Sequence, residues 1–319
     1  MASIMTNASA LTALQSLNAT NKALETTQAR ISTGYRVAEA SDNAAYWSIA
    51  TSMRSDNKAN SVVQDALGLG AAKIDTAYTG INKAIDIVDQ IKEKILLAKA
   101  SSTEERAKIQ SEIAALQAGL SDTVNGASYA GKNLLKGDTD ADSKVFKVIS
   151  SYNRSGNTVT TGSIDVDTTK TWLIGTQAAA ADRDGILDTQ FTVAAIVAAP
   201  ATGVEAQAAI AGKTLLDIDV SLLTSGGAFD QVLGEVEKAL GKMATGAAAL
   251  GAAKSRIDMQ KDFVSKLSDS IDRGVGQLVD ADMNKESTRL QALQVQQQLG
   301  IQALSIANGN SQSILSLFR

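Results

Sequence analysis

Apolar residues recur along this chain at alternating steps of four and three. The first such run is Val63, Leu67, Gly70, Ile74, Ala77, Ile81, Ala84, Val88, Ile91, Ile95 and Ala98. A mean step of 3.5 residues keeps one stripe of a helix turned to a partner helix, so the run predicts a coiled-coil seam of about five heptads. A longer seam follows at Phe229, Val232, Val236, Ala239, Met243, Gly246, Leu250, Ala253, Ile257, Gln260, Val264, Leu267, Ile271, Gly274 and Leu278. It predicts one continuous helix of nearly fifty residues, if its glycines do not break it. A third seam, Leu290, Leu293, Gln297, Gly300, Leu304, Ala307, Ser311, Ile314 and Phe318, is out of phase with the second. The slip, between Val279 and Arg289, marks a boundary.

The N-terminal end mirrors this arrangement. Ala10, Leu14, Leu17, Asn21, Leu24, Gln28 and Ile31 form a weaker seam that stops in "STGYR", with Gly34 as the terminator. The stretch "RVAEASDNAAYWSIA" connects it to the first long seam. Each end therefore carries one helix, joined by a connector to a longer helix further in. "SSTEE" opens one more helix over Thr103–Asp122, with Glu104 and Glu105 in its first turn.

Between the long seams the period changes. β-Branched and aromatic residues flank "NRSGN", which predicts a hairpin of Val145–Tyr152 with Thr158–Val166. From Thr168 to Gly227 an Ala-, Thr- and Gly-rich segment holds two strand-like runs, "FTVAAIV" and "TLLDIDVSLL", and the single proline, Pro200. Near-absence of proline elsewhere permits the long helices on both sides.

Composition then removes whole classes of function. The chain has no Cys and no His, so disulfides, thiolate chemistry, the commonest general base and the commonest metal ligand are all missing. The reading is of a protein that is not an enzyme and needs no cofactor. A net charge of −4 gives no basic patch for nucleic acid. No stretch nears the ~18 apolar residues of a membrane span. The N-terminus lacks the basic and apolar regions of a cleaved secretory signal peptide.

Isolated motifs read blandly. "GLGAAK" lacks phosphate-loop spacing and sits mid-seam, where small residues let helices approach. "DTDADSK" has Asp138, Asp140 and Asp142 at calcium-loop spacing, but Ser143 stands where Gly is needed and Ile149 where Glu is. Tyr46 and Trp47 read as packing anchors. Gln291, Gln294, Gln296, Gln297, Gln298 and Gln302 circle their helix, either as a solvated face or as a surface shared with like helices. The chain closes on Ile314, Leu315, Leu317 and Phe318, and a frayed end cannot leave four such side chains bare.

Two stretches carry a family resemblance. Thr33-Gly34-Tyr35-Arg36-Val37 and Asp42-Asn43-Ala44-Ala45-Tyr46 resemble the N-terminal signature of bacterial flagellin, with Asn43 and Tyr46 in place of the common Asp and Gly. "LVDADMNKESTRLQALQVQQQLGIQALSIAN" with "SILSLFR" is similar to the C-terminal signature. The likeness covers residues 1–135 and 229–319.

The resemblance implies a mainly α fold. N- and C-terminal segments make a long antiparallel coiled-coil rod bearing a β-hairpin and a small α/β or β-rich central insert. Its implied domains are 1–42 with 279–319 as a terminal coiled-coil inner-tube domain, 43–167 with 228–278 as a helical rod, and 168–227 as a variable outer insert. Inner-tube assembly falls to Leu17, Leu24, Ile31, Leu290, Leu293, Leu304, Ile314, Leu315, Leu317 and Phe318, and the connector to Gly34, Arg36, Asp42 and Asn43. The implied function is a structural subunit that self-assembles into the extracellular flagellar filament, the propeller of swimming motility. Its partners would be copies of itself or other flagellins, an export chaperone and the type III export apparatus, and filament cap and junction proteins. The positions at which the Toll-like receptor for flagellin grips the family align with Gln90, Lys94 and Glu112, where Gln and Lys replace Arg and Leu. That implies weak or no recognition. A hook–filament junction protein, or a soluble helical signalling rod, is the alternative.

Overall fold

The computed structural model describes residues 7–137, 144–156, 158–175, 185–191, 212–223 and 226–317, with side chains through position 309. The described elements are α1 (Ala8–Thr33), α2 (Ala44–Ala100), α3 (Thr103–Gly126), β1 (Ser128–Tyr129), β2 (Lys132–Asn133), β3 (Val145–Ser155), β4 (Thr158–Asp167), α4 (Gly226–Val279) and α5 (Met283–Leu317). The fold is mainly helical with a small antiparallel β element in the middle, as the periodicity implies. The chain divides into two compact units, Met1–Lys58 with Leu267–Arg319 and Ala59–Lys266.

In the second unit α2 and α4 lie antiparallel. Asp75 pairs with Lys254, Lys92 with Glu237 at 2.6 Å, and Lys99 with Asp230. One partner number rises as the other falls, which fixes both direction and register. The Glu237 carboxylate holds the Lys92 ammonium above its ordinary pKa, and Asp75 does the same for Lys254. Water screens exposed pairs of this kind and leaves them little net stability, whereas burying one Ile or Leu is worth about 1.5–3 kcal/mol. The seam therefore holds the rod, and the ion pairs select its register. Leu67, Ile74, Ile81, Val88, Ile91 and Ile95 of α2 are fully buried, as are Val232, Val236, Met243, Leu250 and Ile257 of α4.

α3 adds Ile109, Ile113, Leu120 and Val124 to the same core. Its start is a capping box: the Ser102 backbone N–H donates to the Glu105 carboxylate at 3.0 Å, which holds that carboxyl below its usual pKa. The hairpin β3–β4 is antiparallel with Val148 opposite Ile164, and turns at Gly156 with φ +61°. Val148, Ile164 and Val166 face the helices, while Ile149 faces out. Gly70 admits this sheet, since a Cβ there would come within 2.6 Å of Val148. The small residue in "GLGAAK" thus makes room for a strand, not for a helix.

Three expectations change. α2 begins at Ala44, well before its seam, so the later part of the stretch read as connector, Ala44–Ala50, is helix. "TLLDIDVSLL" is not a strand: it forms turns and a single 3-10 turn at Val220–Leu222. Its Asp219 carboxylate accepts from the Ser221 N–H at 2.9 Å and holds the turn. Leu215, Ile218, Val220 and Leu223 are buried with the helical core. Two α3 amides satisfy this irregular backbone: Gln117 donates to the carbonyls of Leu215 and Ile218 at 3.0 and 3.1 Å, and the Val220 N–H donates to Gln110 at 2.8 Å. Finally, Tyr46 and Trp47 are exposed and do not anchor a core. "DTDADSK" from Asp138 to Ser143, Pro200 and most of "FTVAAIV" lie outside the described residues.

Candidate functional site

α1 and α5, in the first unit, form an antiparallel pair. Asn7 donates to the Ala307 carbonyl at 2.9 Å, Gln297 donates to Asn21 at 2.8 Å, and Arg30 meets Glu286 at 3.5 Å. Asn7 also accepts from the Ala10 N–H as the α1 cap. Leu17, Leu24, Ile31, Leu290 and Leu304 are half-buried, and Leu293 is buried. Along α1 the inward line runs through Ala10, Ala13, Leu17, Thr20, Leu24, Thr27 and Ile31, of which Thr27 is buried and the rest half-buried. It departs from the sequence seam at Ala13, Thr20 and Thr27, which replace Leu14, Asn21 and Gln28. Small residues bring the two helices close, and Leu14 is left outward.

The outward set is large. Leu11 and Leu14 on α1, and Val295, Leu299, Ile301 and Ile306 on α5, are all exposed, Leu11 at 59% and Ile306 at 66%. α5 is thus apolar on the side facing α1 and again on its other sides. A helix apolar on several faces requires more than one partner. Gln291, Gln294, Gln296, Gln298 and Gln302 are exposed between these side chains. The side chains of Ile314, Leu315 and Leu317, and all of Phe318, lie outside the described residues.

The connector is tied by backbone. Gly34 closes α1 in the left-handed region at φ +76°, and its N–H donates to Arg30 at 2.9 Å. Its carbonyl accepts from the Ala281 N–H at 2.9 Å. Val279 O accepts from the Arg36 and Val37 N–H groups at 2.6 and 3.2 Å, and the Arg36 guanidinium donates to Leu278 O at 2.9 Å. Asp42 accepts from the N–H groups of Ala38 and Glu39 at 2.9 and 3.2 Å. Asn43 accepts from those of Ala45 and Tyr46, both at 3.1 Å, and so caps α2. Asp282 caps α5 in the same way through Asn284 and Lys285. The sequence reading missed Asp282 and the Arg30–Glu286 pair, although "DADMNKE" carries both the capping residue and an acidic first turn.

The third predicted group lies in the second unit. Gln90, Lys94 and Glu112 come together with Glu93, Ala115 and Leu116 around a shallow groove between α2 and α3. Lys94 is ion-paired with Glu112. Among the described residues no group of three or more acidic side chains is placed to hold a metal ion, and no helix is long and apolar enough to cross a membrane.

Residues 4–140 match the bacterial flagellin N-terminal helical region, and residues 233–318 match the bacterial flagellin C-terminal helical region. Over the full length of both chains the sequence is 54% identical to a flagellin of Brucella melitensis biotype 1. It is 47% identical to Flagellin C and 41% to Flagellin A of Rhizobium meliloti, again over both chains entirely. The chain belongs to the flagellin family. It is a structural subunit of the bacterial flagellar filament, outside the cell, and flagellins self-assemble. Nothing in these matches favours a junction protein or a signalling rod. In this flagellin the two matched regions contain all of α1, α2, α3 and α5 as far as the described side chains reach, and most of α4.

Proposed function

We propose that the α1–α5 pair lines the inner tube of the filament. Residues 1–42 with 279–319 are then its inner-tube domain, 43–167 with 228–278 the rod, and 168–227 the outer insert. The supporting observation is the outward apolar set of Leu11, Leu14, Val295, Leu299, Ile301 and Ile306 on a pair that buries so little of itself. Neighbouring copies supply the missing cover, at about 1.5–3 kcal/mol for each large side chain taken from water. Truncation after Ile306 removes the apolar end, and is expected to abolish filaments while the long helices keep their circular dichroism. Normal filaments from that truncation would sink the reading.

Export fits the same reading. The subunit crosses the type III channel unfolded, delivered by an export chaperone, and adds beneath the filament cap beyond the junction proteins. Absence of Cys supports this, because no disulfide has to be undone.

Recognition by the Toll-like receptor for flagellin is weak. Gln90 offers no charged fork, Lys94 puts an ammonium where the family has an apolar contact, and Glu112 is already engaged by Lys94. Leaving such groups unpaired in an interface costs about 1–3 kcal/mol each. The double variant Gln90→Arg with Lys94→Leu is expected to restore part of a receptor-reporter response. Full activation by the unmodified monomer overturns this.

A further inference from the structure

Around the connector the first unit closes a small apolar core and leaves an aromatic collar open. Val37, Ala50, Val275 and Val279 are buried, with Met53, Ile271 and Leu278 packed on them. Tyr35, Tyr46, Trp47 and Ile49 remain exposed, Tyr46 at 41% and Trp47 at 38%. Single exposed apolar residues are ordinary, but three large aromatics around one connector are not.

Helical phase divides the collar. At about 100° per residue from the buried Ala50, Trp47 and Arg54 fall to one side of the core line, Tyr46 and Ile49 to the other. The Arg54 guanidinium lies 4.9 Å over the Tyr35 ring, and that of Arg36 lies 5.9 Å over Tyr46. Each flank therefore presents an aromatic–guanidinium pair, Trp47 with Tyr35 and Arg54 on one, Tyr46 with Ile49 and Arg36 on the other. Trp, Tyr and Arg are the side chains that dominate interface energetics, because they bury large rigid area and can satisfy a few directed contacts.

We propose that this collar is a contact between neighbouring copies of the chain in the filament. A second copy is the occupant for three reasons. The protein self-assembles. The collar is continuous with the α1–α5 pair through the Gly34–Ala281 backbone bond. An open polymer also needs two different patches on each subunit, and the two flanks are two different patches. The inference rests on the filament assignment of the terminal pair, and adds Trp47 and Tyr46 to what that pair buries.

The chain's own tryptophans supply the test. It has two, and Trp172 is buried at 4% exposure in the second unit. Fluorescence of monomer and filament is compared for the unaltered protein, with Trp47→Phe supplying the Trp172 background. Trp47 emission is expected to shift to the blue on assembly, and its acrylamide quenching to fall by about threefold or more as the ring leaves water. Trp47→Ala is expected to raise the critical concentration for assembly by about fivefold or more, with monomer helicity unchanged. Filaments in which Trp47 quenches as freely as in the monomer overturn the collar contact and leave the inner-tube reading standing. A chain that forms no filaments overturns that reading, and the collar contact with it.

Discussion

Ile74, Ile81, Val88, Ile91 and Ile95 of α2 lose all exposure against their own chain, whereas along the whole of α1 the only buried residue is Thr27. Both helices belong to antiparallel pairs with a four-and-three spacing, so periodicity does not separate them. What differs is where the large side chains point. In the rod, Ile and Leu fill the seam and small residues admit the hairpin. In the terminal pair, Ala10, Ala13, Thr20 and Thr27 share the line between the helices with Leu17, Leu24 and Ile31, and Leu11, Leu14, Leu299 and Ile306 turn outward. One region buries its seam within a single chain, and the other, on the assembly proposed above, is covered by neighbouring copies.

Substitution in the rod seam should have the largest effect on that comparison. Ile91→Ala leaves a cavity in a fully buried position and is expected to cost the monomer about 2–5 kcal/mol, read by thermal or denaturant unfolding. Gly246→Ala comes next. Its Cβ would stand 2.6 Å from the Lys170 carbonyl oxygen, which is backbone and cannot swing aside, so an overpacking cost of about 1–3 kcal/mol is expected. Leu14→Ala should behave in the opposite sense. Monomer stability is expected to stay within about 0.5 kcal/mol, while the critical concentration for assembly rises. If Leu14→Ala unfolds the monomer as Ile91→Ala does, the contrast between the two regions fails.

The smallest effect concerns α3. The Glu105 carboxyl has a lowered pKa because it accepts from Ser102, so its contribution is present at neutral pH and fades as pH falls through that lowered value. Glu105→Gln is expected to fray the start of α3 at pH 7, seen as faster amide exchange at Thr103–Arg106. The difference from the unaltered chain should vanish in acid.

The rod was legible because Ile, Leu and Val occupy its seam without interruption from Leu67 to Ile95 except at small residues. The start of α2 was not, because its inward line continues through Ala50, Met53, Asn57 and Asn60, where two amides hide the stripe. Asn57 is used there nonetheless, hydrogen-bonded to Asp272 at 2.5 Å. The inner phase of α1 was misplaced for a related reason. Leu14 looks like a seam residue, and nothing within one chain tells a side chain that waits for a neighbour from one that faces its own helix. Strand-like "TLLDIDVSLL" was misleading because its apolar residues serve buried turns, whose backbone depends on Gln110 and Gln117 from a distant helix. The connector was readable in part. Gly34 and Asn43 declare their roles by residue type, whereas the bonds from Arg36 and Val37 to Val279 join positions far apart in sequence.

Those connector bonds have a mechanical meaning. A turning filament is twisted by drag, and within one chain a load passing between the terminal helices and the longer ones runs through the segments that hold residues 34–37 and 279–281. There the two chain segments run antiparallel, with Tyr35 opposite Asp280, and are joined by three backbone bonds and the Arg36 guanidinium. Sliding one segment along the other strains all of these together, so they resist shear as a group and do not open one after another. The backbone bonds come from amides that every non-proline residue possesses. Side chains around them can therefore vary between flagellins while the load path stays the same.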